Sequence, residues 1–281
     1  MQPVPTTTVM APTALPAPPS FKLLQYPDLG TAFDPIIAQR PRIIAVGEIH
    51  KKNYSTLVST ASLFAKEALP KLVQAGYRDF VVEFLPSGPT ADHEIRQYLN
   101  SGELGPLLSR WLHHHPDYCG FIGFLETARS LQQNGASINI YGSNYPSIAD
   151  FLANTPEARA EYINTTTQAR IMSLYSAGRK VISYTGTQHN NIEPLANEEM
   201  RSFGQNIRQI VGLQNYHEVD LYLGPLVANQ TAYYLQLSGS SFLVPDRSVN
   251  ALFFPGRTVM ITPLPAAPLL PLSPTTSPTC D

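Results

Sequence analysis

The chain has 281 residues, a formal net charge of -2 and only 14% charged side chains. That balance lacks the basic footprint nucleic acid requires and contains no basic run suited to a membrane surface, so neither partner is expected. Two cysteines, Cys119 and Cys280, are too few for a disulfide framework. With no secretory h-region and no apolar stretch of spanning length, a reducing cytoplasm is the expected setting.

In chain order, residues 1–20 form a Pro/Thr-rich tail without Lys, Arg, Asp or Glu, and residues 263–281 form a second Pro-rich tail. Both read as disordered ends around a single domain over residues 21–262. Arg42 to Val46 opens the domain as an apolar strand buried on both faces, and Gly47-Glu48-Ile49-His50 follows at once. Apolar residues at Leu57, Ala61, Phe64, Ala65, Ala68, Leu69 and Leu72 predict a helix over 54–75, kinked or broken at Pro70. Phe80 to Leu85 is a second buried strand, with Glu83 near its carboxyl end. Three short helices over 90–100, 103–115 and 121–133 make an insertion spanning about 86–136.

Ile138 to Gly142 predicts a third strand before Ser143-Asn144, and a long helix follows over 156–177, with Thr155 as its cap and Pro156 in its first turn. Val181 to Thr185 is a fourth strand, leading into Gly186-Thr187-Gln188-His189. A helix over 198–211, weakened by Gly204, precedes a strand over 217–223, and edge strands are expected over 233–237 and 258–262. Strands alternating with helices define an α/β fold: a mainly parallel central sheet, helices on both faces, and the insertion lying over the strand carboxyl ends.

The chemistry gathers at those ends, where open α/β sheets place their ligands. Two Gly-x-x-His motifs each follow an apolar strand. If the chain stays extended beyond Gly47, Glu48 and His50 point to one side, and a carboxylate beside an imidazole can bind a metal or pass a proton. Glu48, His50, Glu83 and His189 are therefore expected in one cleft. The bland alternatives are loop histidines that cap backbone groups and a turn carboxylate. His113-His114-His115 points around a helix and reads as a solvated end. His93 and His217 read as surface or edge-strand residues, Cys119 as a small buried hydrophobe, and Trp111, Phe121 and Phe124 as core or pocket wall.

Gly47-Glu48-Ile49-His50, then Glu83 after two valines, then Gly186-Thr187-Gln188-His189 resembles, in that order, the superfamily of Tiki-type metalloproteases, ChaN-like haem-binding proteins and erythromycin esterases. The resemblance covers roughly residues 40–225. Tyr141-Gly142-Ser143-Asn144 is similar to the esterase Tyr-Gly-x-Asp segment, with Asn144 where an acid is usual. The resemblance implies catalysis by Glu48, His50, Glu83 and His189, which would also hold any divalent metal ion (zinc, manganese or cobalt). Tyr141, Asn144, Tyr184 and Gln188 are the expected contacts to a small-molecule or peptide substrate.

Three functions stay open. The first is hydrolysis of an ester, amide or peptide bond, with or without a metal. The second is a non-catalytic peptide-binding or scaffolding role in natural-product biosynthesis, in which an edge strand near Leu235 or Met260 accepts a peptide or pairs two subunits as a homodimer. The third is haem or iron binding, through a tyrosine or histidine of the insertion or of another subunit.

Overall fold

The computed structural model describes residues 23–48, 59–192, 202–223, 249–254 and 256–262. Their strands are β1 (Leu23–Tyr26), β2 (Ile43–Glu48), β3 (Asp79–Pro86), β4 (Asn139–Asn144), β5 (Val181–Gly186), β6 (Tyr216–Leu223), β7 (Val249–Phe254) and β8 (Arg257–Thr262). They form one sheet in the order β1-β7-β8-β6-β2-β5-β3-β4. From β8 to β4 every pairing is parallel, whereas β7 runs antiparallel to both β8 and β1. The α/β class read from the alternation is thus the observed one, with an antiparallel pair added along one side.

Alternation along the central strands divides the core. Ile44, Val46, Val82, Tyr184 and Leu221 face one apolar cluster with Phe64 and Phe124, while Ala45, Val81, Val181 and Tyr216 face another with Ile171 and Ile207. The first face carries α3 (Thr60–Leu63), a π-helical turn (Phe64–Ala68), α4 (Leu69–Gln74), α5 (Pro89–Ser101), α6 (Pro106–His114) and α7 (Tyr118–Gln133). The other face carries α9 (Pro156–Ser176) and α10 (Gly204–Val211), with the short α8 (Ile148–Ala153) just before α9. Among the described residues no helix is long and apolar enough to cross a membrane.

Several local expectations are revised. Pro70 does not break its helix, because the turn before it widens and Leu69 N–H donates back to the carbonyl of Phe64, which places Pro70 in the first turn of α4. Gly204 opens α10 rather than weakening its middle. A Cβ there would stand 2.0 Å from the carbonyl oxygen of Asn190, so the close approach demands glycine. The strand over 258–262 is present but interior, since β7 and β1 pair beyond it, and Met260 is fully buried. Met260 therefore offers no edge to a peptide or a second subunit; residues 233–237, with Leu235, lie outside the described residues. The insertion roofs the strand ends only in part, because Phe121 and Phe124 of α7 pack into the core and Trp111 of α6 donates to the carbonyl of Phe84 at 2.9 Å.

Cys119, expected as a small hydrophobe, is disulfide-bonded. A disulfide removes the ground on which a reducing compartment was expected. Peptide mapping without reductant should recover Cys119 in a linked peptide that separates on reduction.

His217, expected at the surface or an edge, is 2% exposed in a strand paired on both sides, with Nε2 2.7 Å from Thr258 Oγ1. Burial pushes its imidazole down from 6.5 to about 4. The folded protein thus keeps it neutral where the unfolded chain is protonated, so its contribution is whole above about pH 6.5 and is lost as the pH falls toward 4. Unfolding free energy measured in urea across this window should drop by on the order of 3 kcal/mol from this one group, and His217→Gln should flatten that part of the profile.

Candidate active site

Glu83 shares its strand face with Val81, toward α9, at the carboxyl end of β3. A buried carboxylate needs donors. Gly186 N–H, at the end of the neighbouring β5, donates to Glu83 Oε2 at 2.7 Å. The chain then turns tightly, with His189 N–H bonded to the carbonyl of Gly186 at 2.9 Å, and this turn carries the imidazole back toward β3. His189 Nε2 lies 3.6 Å from Glu83 Oε1, and His189 Nδ1 lies 2.7 Å from Asn164 Oδ1 on α9. An amide oxygen only accepts, so Nδ1 carries a hydrogen, and Nε2 is the nitrogen turned toward Glu83.

Glu83 and His189 lie at the foot of a cleft of about 450 Å³, whose walls include Phe84, Trp111, Phe151 and Ile163. Asn144 and Gln188 also line it, with His114, His115 and Arg159. Asn144 is committed to the scaffold: its Nδ2 donates to the carbonyl of Glu83 at 3.0 Å and its Oδ1 accepts from Tyr145 N–H at 2.9 Å. An aspartate could not donate the first of these bonds, which gives the amide a structural reason.

Glu48 takes the other face of the sheet. Tyr184 OH, buried beside it, donates to Glu48 Oε2 at 2.6 Å, and burial followed by the charge of Glu48 holds the Tyr184 phenol well above its ordinary range. Nearby, the Ser59 hydroxyl donates to Asp117, whose charge also raises Tyr184. Tyr184, expected to meet substrate, is thus 1% exposed and bonded to Glu48. Tyr141, given the same expectation, turns instead toward Asp79, 3.5 Å from its hydroxyl, and lies under the Arg170 guanidinium. His50 lies outside the described residues.

Between Glu48 and the cleft stands Gly47, where a Cβ would meet Asn190 Oδ1 at 2.6 Å and Thr187 Cα at 2.7 Å. Its need is close approach, which lets the turn after β5 settle against β2. On the same side Arg257 joins two buried acids of β6, 3.0 Å from Glu218 and 2.7 Å from Asp220. Burial first, then the Asp220 charge, raises Glu218 well above the carboxylate range.

Asn164, Arg159 and Phe151 were not singled out from the sequence. A signal existed for the helix: Pro156, Arg159, Ala160 and Ile163 recur at helical spacing on α9, and that stripe turns to the cleft. As for metal ligands, no group of three or more candidate side chains occurs among the described residues. Glu83 and His189 alone give two, short of the three protein ligands of a catalytic zinc site.

No protein-family model matches the chain, and no curated protein matches it. Among solved structures, an erythromycin esterase mutant, EreC in its open conformation, superposes with a TM-score of 0.50 at 10% identity, over 73% of this chain and 77% of that one. A succinoglycan biosynthesis protein gives 0.48 at 11% identity, over 70% and 71%. RRSP, a MARTX toxin effector domain from Vibrio vulnificus CMCP6, gives 0.40 at 20% identity over 56% of this chain, which spans 30% of that structure's length. The erythromycin esterase likeness shows a shared fold: this is an α/β protein of that architecture.

The phenol of Tyr184 is one of the donors that make a buried Glu48 tolerable. Tyr184→Phe should lower stability by about 1–3 kcal/mol, read as a shift in urea midpoint at unchanged slope.

Proposed function

We propose that the chain is a hydrolase-like protein acting on an ester, amide or peptide bond, with His189 as general base and Glu83 as its electrostatic partner. The observation that carries this reading is the orientation of one ring: Asn164 holds Nδ1, and Nε2 is aimed at a carboxylate at the foot of a cleft. His189 Nε2 takes a proton from water as the water oxygen bonds to the substrate carbonyl carbon. The same proton then passes to the leaving oxygen or nitrogen as its bond to that carbon breaks. Glu83 favours the imidazolium formed between the two steps, and Asn164 keeps the ring in the productive tautomer.

A divalent ion, if bound, would be held by Glu83 and His189, with His50 as the further ligand the resemblance implies, and would supply a water made nucleophilic near neutral pH. Assaying an ester and peptide panel with and without chelator, followed by zinc, manganese or cobalt, separates the two routes.

His189→Ala should lower turnover by about 10²- to 10⁴-fold at an unchanged thermal midpoint. Asn164→Ala should cost less and act on kcat more than on KM. A folded wild-type protein that turns over nothing on the panel, and binds one peptide as tightly with His189→Ala as without, would replace catalysis with a peptide-binding role.

A further inference from the structure

The cleft contains a positive charge that the proton transfer does not use and that no carboxylate among the described residues neutralises. Arg159 Nε donates to the carbonyl of Phe151 at 2.7 Å, one terminal nitrogen donates to that of Leu152 at 3.4 Å, and the guanidinium lies 4.2 Å over the Phe151 ring. Phe151 is in turn held edge-on by Trp111 at 5.9 Å and by Tyr145 at 6.2 Å. Among the described residues Arg170, Arg179 and Arg257 each end on a carboxylate, whereas Arg159 makes no ion pair. Its neighbouring acids are turned elsewhere. Asp150 accepts from Ser147 at 2.6 Å, and Glu157 and Glu161 fall about 200° around the helix from Arg159. A guanidinium has five donors in a planar fork, and the two carbonyls take only part of them.

We propose that Arg159 is an anion subsite of this cleft, and that the substrate or ligand carries a carboxylate there. The position of the bond to be cleaved, though not the subsite itself, rests on the hydrolytic reading. Arg159 and Asn164 are five residues apart on α9, hence about 7.5 Å along the axis and about 140° around it. Since an extended chain covers about 3.4 Å per residue, the anion sits at least about two peptide residues from the group presented to His189. Trp111 and Phe151 supply an apolar, aromatic wall beside the charge. The class is therefore a short acyl-peptide or similar ester or amide with an aromatic or apolar side chain and a terminal carboxylate. A guanidinium pre-set by two carbonyls and a ring loses little freedom on binding a planar carboxylate, which is the geometry its fork matches.

The test compares N-acetyl-Phe-Gly as free acid and as carboxamide by titration calorimetry, with inorganic phosphate as competitor. The wild type should bind the acid roughly tenfold or more above the amide, Arg159→Gln should bind the two alike, and Arg159→Lys should keep part of the preference. Equal binding of acid and amide by the wild type overturns the proposal, as does a preference that survives in folded Arg159→Gln. Displacement of the acid by equimolar phosphate overturns the carboxylate assignment. The wild-type comparison decides even where a variant does not fold. Arg159-dependent binding without turnover retains the subsite and removes the hydrolytic reading. Turnover of acid-bearing and amide-bearing substrates at equal kcat/KM does the reverse.

Discussion

The structure turns on how an acid at the end of a buried parallel strand is held in place. Glu83 can stand there because β5 runs beside β3 and ends in a backbone N–H aimed at Glu83 Oε2. One bond therefore sets the carboxylate, ties two strand ends together and leaves the second oxygen toward His189. Removing water from a carboxylate without such a donor costs several kcal/mol. The parallel sheet supplies the donor as a consequence of its own geometry, since each strand ends with backbone groups the ladder no longer occupies.

The same demand organises the second acid on the opposite face. Glu48 is 5% exposed, and its phenol donor comes from Tyr184, two residues before the Gly186 that serves Glu83. One strand thus supports two carboxylates from opposite sides, a side chain for one and the backbone for the other. The result is a layered arrangement: a Glu48–Tyr184 layer beneath the helical insertion and a Glu83–His189–Asn164 layer against α9. The proton transfer proposed for the cleft belongs to the second layer, and β5 contributes a residue to each.

Around this frame the chain places cations with care. Arg257 sits between two buried acids, and Arg179 and Arg170 close on Asp79 and Asp92. Arg42 and Arg159 are instead held by carbonyls and a ring, and of these two Arg159 lines the cleft. One helix, α9, thus carries both Arg159 and the Asn164 that meets the imidazole.

What the sequence determined by itself was periodic and local. Apolar runs of strand length, the helical spacing of the segments between them, and the order of the two Gly-x-x-His motifs around Glu83 followed from spacing. These suffice for a parallel α/β sheet with its polar groups at the strand ends. Tertiary structure alone decided the faces. Alternation says which residues of one strand share a side, but the relative phase of two strands is set by the crossover between them. Thus Glu48 and Glu83, each placed correctly at a strand end, fall on different sides of the sheet. The same reason hid Asn164 in a helix 25 residues before His189 and turned Tyr141 toward Asp79. It also put β8 inside the sheet, because β7, the segment just before it, pairs on its outer side and the distant β1 pairs beyond that. His217 was unreadable for a related cause: an alternating strand with polar residues looks wet until its two neighbours are known.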